Sequence, residues 1–404
     1  MTGTPPSRFV AVASAAGGSA ARAPRTTAKE APMSSDSLRQ KAEQLLALAG
    51  IRIDGGRPCD LQVHDDRLYA RVFSHGSLGL GEAYMDGWWD ADDLPGLFSR
   101  ILGSHLDQEL KTLDTLLAHL KARFLNLQRG EHAYEVAETH YNLGNDLFRA
   151  MLGRRLVYSC GYWAQADNLD DAQAAKLDLV CRKLHLKPGQ RVLDIGCGWG
   201  EALKFAAEHY GVEGVGVTVS HEQAEYAREL CAGLPIEIRL QDYREVDERF
   251  DAVYSIGMFE HVGGRNYRTY FETVRRCLRP EGLSLLHTIG SNGAPAQTDP
   301  WIEKYIFPNS MIPAASQVTA ALEGLFVVED WHNFGTDYDR TLTAWRENFD
   351  RAWPELSVRY DERFRRMWHF YLACSAAVFR SRRDQLWQLV LSPDGLPGGY
   401  RSPR

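Results

Sequence analysis

The chain has 404 residues, 44% hydrophobic and 25% charged, with a formal net charge of −7. That length holds one large core or two, since domains run to roughly 100–200 residues, and the acidic balance argues against nucleic acid as a partner, which needs a basic footprint. No run approaches the ~20 uninterrupted apolar residues that span a bilayer, so any membrane contact would be peripheral.

Residues 1–34 are rich in Ala, Ser, Thr, Gly and Pro and too polar for a packed core, so a disordered tail is expected. "FVAVASAA" after Arg8 invites a signal-peptide reading, but the run is brief. The seven cysteines form no CxxC pair and no zinc-type Cys/His spacing, which favours a reduced, cytoplasmic setting and no metal. Met33 offers an alternative start, because "MSSDSLRQKAEQLLALAG" places N-cap residues ahead of an amphipathic helix.

A small, mainly helical domain is expected over 35–112. Within it the alternation of "RIDGGRPCDLQVHDDRLYARVFS" predicts two or three short strands, and Asp92 and Asp93, after Trp88 and Trp89, mark a helix start. A helical linker follows over 113–135, then a second body over 136–392 and a tail over 393–404. In the second body the apolar runs "RVLDIG", "VEGVGVTV", "IEIRLQD", "FDAVYSIG", "GLSLLHTIG" and "FVVEDWHNF" alternate with helices such as Gly200–Tyr210, His221–Ala232 and Asn266–Leu278. That order predicts an α/β fold, with a mostly parallel, doubly wound sheet. Between Arg359 and Arg383 seven arginines interleave with Phe364, Trp368, Phe370, Tyr371 and Phe379, ahead of Trp387. Such a run reads as a basic, aromatic face suited to lipid headgroups or as a solvated helix face.

"VLDIGCGWG" puts Asp194 at a strand end, followed by Gly196, Gly198 and Gly200 at alternate positions leading into a helix. The glycines let a ligand approach the backbone, and the helix start offers free N–H groups, so NAD and S-adenosylmethionine both come into view. The dinucleotide fingerprint is G-x-G-x-x-G, whereas this loop is G-x-G-x-G with an acid two residues earlier, which favours S-adenosylmethionine. Thr218, with Gln223 a turn later, stands where an acid would bind the ribose. Asp242 and Tyr243 end the next strand at the adenine side.

Seven segments in order, "HYNLGNDLF", "YSCGYW", "LDIGCGWG", "MFEHVG", "LLHTIG", "PWIEKYIFPN" and "EDWHNFGTDYDRTL", resemble the cyclopropane-fatty-acyl-phospholipid synthases and the related mycolic-acid cyclopropane synthases. The likeness runs from Ser35 to Trp387 and includes "YMDGWWD"; the tail before Met33 has no counterpart. It implies a Rossmann-like S-adenosylmethionine methyltransferase domain behind a smaller domain that engages lipid and forms a homodimer. It also implies the reaction, in which a methylene is added across a cis double bond of a phospholipid acyl chain at the inner face of the membrane, with bicarbonate as the base.

By the same resemblance, the bicarbonate ligands are Cys160, Glu260, His287, Tyr338 and the backbone of Ile289. Tyr158 and Ser159 close over S-adenosylmethionine, beside Gly196, Gly198, Thr218 and Gln223. Taken singly these residues read more plainly: Cys160 as core filler, Glu260 as a strand-end cap, His287 as a core histidine and Tyr338 as a loop residue. The chemistry gives the set a reason. An alkene is a weak nucleophile that needs alignment, the cation it forms must be kept from water, and a base must remove a proton before the ring closes. A related enzyme that makes a methyl branch, or a small-molecule N-methyltransferase, is the alternative.

Overall fold

The fold is seen in a computed structural model that describes residues 34–106, 144–293 and 298–404. The tail up to residue 33, the linker and the first residues of "HYNLGNDLF" lie outside the described residues. The six runs read as strands form β3 (Arg191–Ile195), β4 (Glu213–Thr218), β5 (Ile236–Leu240), β6 (Phe250–Ile256), β7 (Leu278–Gly290) and β8 (Val327–Asn333). β9 (Gln385–Ser392) completes a seven-stranded sheet in the order β5-β4-β3-β6-β7-β9-β8. β3 to β7 pair in parallel, while β9 runs antiparallel to both β7 and β8.

Along β3 the side chains alternate as the pleat requires. Leu193 and Ile195 enter one apolar layer with Tyr267, Phe271 and Val274, whereas Val192 enters the other with Leu177, Leu203 and Ala227. Helices therefore cover both faces, as a parallel sheet demands. Their starts are capped: Asn168 accepts from Asp171 N–H at 3.0 Å, and Ser220 from Gln223 N–H at 3.3 Å. Each such cap contributes about 1 kcal/mol.

β9 was not anticipated, and it changes the reading of the arginine–aromatic run. Trp387 lies in β9 and is buried, as are Trp368, Phe370, Tyr371 and Phe379 in the helix Glu362–Arg380. Several of the seven arginines make ion pairs to other elements, among them Arg363 with Asp86 at 3.1 Å, Arg366 with Asp90 at 2.7 Å and Arg380 with Asp339 at 2.8 Å. This run is an internal seam rather than a membrane-facing surface.

The seam joins the N-terminal segment to the rest. Helices α1 (Ser35–Leu48), α2 (Arg67–Met85) and α3 (Leu94–Gly103) share one apolar cluster with Glu362–Arg380, and residues 35–404 form one compact unit. Glu82 of α2 accepts from Lys304 at 2.6 Å and from Tyr305 at 2.9 Å. The strands expected near residue 60 shrink to β1 (Gln62–Val63) paired with β2 (Trp89–Asp90), because "RLYARVFS" is the start of α2. Asp93 caps α3, accepting from Gly96 N–H at 2.9 Å. The last residues pack back on the body, with Tyr400 donating to the Lys183 carbonyl at 2.8 Å.

Candidate active site

The chain leaves β3 for one side of the sheet and returns through β6 on the other, so a crevice opens between the tips of these strands. Tyr158, Ser159, Asp194, Gly196, Gly198, Thr218, Gln223, Asp242 and Tyr243 all line a single pocket there. Gly196 and Gly198 have φ of +81° and +54°. A Cβ at Gly196 would fall 2.7 Å from Met258 Cγ, whereas at Gly198 nothing lies within 4 Å, which leaves bare backbone facing open space. Gly200 is not part of the lining. A Cβ there would meet Ala227 Cβ at 3.0 Å and Cys231 Sγ at 3.1 Å, so this glycine serves helix packing.

Electrostatics divide the pocket. Asp194 is buried, its Oδ1 has no protein partner, and burial raises its carboxyl to about 7 despite Tyr254 and Lys176 nearby. A buried acid with a spare lone pair fits a cationic amine. Asp242, by contrast, is held by Arg244, whose backbone N–H and Nε both donate at 2.9 Å. Thr218 donates to Gln223 Oε1 at 3.1 Å, which fixes the second strand tip.

Glu260 and His287 lie on the neighbouring strand tips, outside that lining. Glu260 follows β6 in a short 3-10 turn, and its Oε1 accepts the Ile289 N–H at 2.7 Å. Its Oε2 is buried without a protein partner, and burial raises the acid to about 7, offset first by that Ile289 N–H. Ile289 thus acts through Glu260, its N–H being already engaged. His287, two residues back on β7, is buried, and desolvation followed by the charges of Lys176 and Lys183 holds it well below its usual range. The Gln388 amide nitrogen faces His287 Nδ1 at 3.2 Å. With the amide in this orientation Nδ1 accepts, which leaves the proton to Nε2, an atom with no protein partner.

The stretch around Cys160 is clamped against the helix Asp337–Leu356. Thr341 Oγ1 accepts from Gly161 N–H at 3.1 Å and from Trp163 Nε1 at 2.9 Å, and Asp337 accepts the Trp163 N–H at 2.7 Å. Cys160 Sγ lies 3.2 Å from the Gly161 carbonyl and 3.7 Å from Thr341 Oγ1, and burial pushes its thiol well up. That is an environment for a neutral thiol rather than a nucleophilic thiolate. Tyr338, beside Asp337, stacks on Phe379 at 4.4 Å. Tyr158 stands among Phe148, Trp345 and Phe307, with ring centroids at 5.4, 5.2 and 6.4 Å, and its hydroxyl meets that of Tyr371 at 2.7 Å.

Two polar residues escaped the sequence reading. Lys176 lines the pocket and donates to Ser159 Oγ at 2.8 Å, and Gln388 sets the His287 tautomer. Both carried a signal. Gln173, Lys176 and Lys183 interrupt the apolar stripe of the helix Leu169–Lys183 at helical spacing, and Gln388 interrupts the apolar run from Leu386 to Leu391.

A glycine cradle at the switch point, beside a buried acid and clamped against an aromatic cluster, defines the class: a methyltransferase that uses S-adenosylmethionine. The chain belongs to the mycolic acid cyclopropane synthetase family, whose model matches residues 128–389. It is 51% identical over 378 residues to a cyclopropane-fatty-acyl-phospholipid synthase of Escherichia coli strain K12, covering 93% of this chain and 98% of that one. It is 34% identical over 355 residues to the tuberculostearic acid methyltransferase UfaA1 of Mycobacterium tuberculosis, covering 82% of each. Among solved structures, the mycolic acid cyclopropane synthase CmaA1 complexed with SAH and CTAB superposes with a TM-score of 0.59 at 30% identity, over 64% of this chain and 97% of that one.

Proposed function

We propose that this protein makes cyclopropane rings in phospholipids, adding a methylene from S-adenosylmethionine across the cis double bond of an acyl chain, with bicarbonate bound as the base. The observation that carries this reading is the pair of buried atoms without protein partners, Glu260 Oε2 and His287 Nε2, next to the cofactor pocket. One accepts and the other donates. A small oxyacid offering a hydroxyl and an oxygen satisfies both, and bicarbonate is such a group. Glu260 and His287 would hold it, with Tyr338 and Cys160 around it and Ile289 fixing Glu260.

When bound, S-adenosylmethionine supplies an electrophilic methyl and bicarbonate supplies a base for the proton that the methyl must lose. The protein's own contribution is placement. Asp194 holds the cofactor's amine end, and the glycine backbone lets the ligand in close. Tyr158, Trp345 and Phe307, which pack together, would offer aromatic faces to a carbocation and keep water from it. Burial keeps His287 neutral, so it donates a hydrogen bond without adding positive charge beside the cation.

The remaining expectations belong to the same proposal. The N-terminal segment over 35–112 engages lipid, supported by an all-apolar cavity lined by Leu45, Leu46, Val72, Phe73, Leu97 and Ile101. The protein works as a homodimer at the cytoplasmic face of the membrane. No helix among the described residues is long and apolar enough to cross a membrane, which agrees with attachment from one side.

The test is incubation with S-adenosylmethionine and vesicles of cis-unsaturated phospholipid, with and without bicarbonate, followed by mass spectrometry of the acyl chains. Gain of one CH₂ with loss of the double bond, dependent on bicarbonate, is the expected result. No gain in any lipid composition contradicts the reading, and gain indifferent to bicarbonate removes it as the base. A methyl branch formed only with added reductant would favour the second reading, which the likeness to a tuberculostearic acid methyltransferase keeps in view.

A further inference from the structure

Lys176 is a fully buried lysine inside a ligand pocket. Its hydrogen bond goes to a neutral hydroxyl, Ser159 Oγ at 2.8 Å, and no carboxylate forms a salt bridge with it among the described residues. None of the three acids that line the same pocket neutralises it at contact, Asp242 being held by Arg244. Glu201 is paired with Arg155 at 2.6 Å, and Asp194 acts on Lys176 only through space. A buried ammonium left with a single neutral partner is costly unless an anion completes the site. Its helix fixes the place: Gln173, one turn earlier, donates to the Ser159 carbonyl at 2.7 Å, so this face of the helix holds the loop that closes the pocket.

We propose that Lys176 is the cationic seat for the carboxylate at the amino-acid end of S-adenosylmethionine, reached together with the Ser159 hydroxyl and set opposite Asp194, which takes the amine. The assignment rests on the pocket being the cofactor's. A zwitterionic amino-acid end needs one partner of each sign, and the pocket offers one buried acid with a spare oxygen and one buried ammonium with spare hydrogens. The bicarbonate site is the other anion source nearby, since Lys176 also acts electrostatically on His287 and Cys160. Only Lys176 and Ser159 line the cofactor pocket, however, while His287 and Cys160 do not. Burial lowers the Lys176 ammonium to about 7, which is consistent with a cation that lacks its counter-ion until the cofactor arrives.

Calorimetric titration of the full chain with S-adenosylhomocysteine and with its decarboxylated analogue tests this without turnover. The unaltered protein should bind the carboxylate form more tightly by about 10- to 100-fold, the size of one charge-assisted hydrogen bond. In K176M that preference should vanish, with the decarboxylated analogue bound as tightly as by the unaltered protein, which also reports an intact pocket. K176Q, which keeps a donor to Ser159 without the charge, should behave alike. Equal loss of both ligands in the two variants would make Lys176 a structural residue and overturn the proposal. So would unchanged binding of S-adenosylhomocysteine alongside a raised bicarbonate requirement, which would place the anion in the base site. If neither variant folds, a lack of preference in the unaltered protein still refutes it. Failure of the unaltered protein to bind either ligand would refute instead the placing of the cofactor in this pocket.

Discussion

The two halves of the sheet build two kinds of site. At the tips of β3 and β4, in the parallel half, the pocket offers bare backbone, with positive-φ glycines and open space at Gly198. Past the end of β6 and on β7, toward the antiparallel edge, the site is made of buried side chains with unspent hydrogen-bonding atoms, Glu260 Oε2 and His287 Nε2. The first suits a large ligand that brings its own reactivity. The second suits a small polar group whose protonation matters, because low polarity around it magnifies every charge. On the proposed function, cofactor binding and proton removal would fall to different side chains, and damage to one site should spare the other.

The largest expected effect is on Glu260. Glu260→Gln should lower turnover by about 100-fold or more while S-adenosylhomocysteine binding stays within about twofold, as general-base roles scale. Comparable loss of both would erase the division between the sites. The same variant has a pH signature. Glu260 in the folded state ionises near 7, against roughly 4.3 when unfolded, so its stability contribution relative to Gln is complete at low pH and is lost as pH rises through 7. Denaturant titrations should show Glu260→Gln gaining on the unaltered protein by about 3 kcal/mol between pH 4 and pH 8.

Next comes Gly196→Ala, which forces a side chain into φ +81° and against Met258 at 2.7 Å. Cofactor affinity should fall about 10-fold or more by calorimetry, from strain of a few kcal/mol, with kcat at saturation little changed. Gln388→Leu frees the His287 tautomer and should cost about 5- to 10-fold in kcat, one neutral hydrogen bond, with cofactor binding unaffected. Cys160→Ser is the mildest. A buried, neutral thiol replaced by a hydroxyl should keep activity within about fivefold, and complete inactivation of a folded variant would point to a covalent role.

The same division explains what the sequence made legible. The cofactor loop is local: an apolar strand, an acid, three glycines and a helix start fall within ten residues, and local geometry dictates most of what they do. Gly200 shows the limit, since its need for a bare Cα comes from Ala227 and Cys231 on another helix. The base site depends on pairing across long separations. His287 meets Gln388 only because β9 inserts between β7 and β8, and a short apolar run at the chain's end gives no local hint of that insertion. The arginine–aromatic run misled for a related reason. Its rings look amphipathic in sequence, but Phe370 packs against Tyr84, Trp89 and Phe98 of the N-terminal segment, which also supplies Asp86 and Asp90 to Arg363 and Arg366.

The central claim is that a base at the Glu260–His287 site takes a proton from the methyl group after transfer. Its most direct test is turnover with S-adenosylmethionine carrying a trideuterated methyl, in water of natural abundance, with mass spectrometry of the modified acyl chain. The account predicts a product that keeps two of the three deuterium atoms as a CD₂ bridge. A product that keeps all three would mean a methyl branch and no proton removal from the methyl, and it would contradict the account.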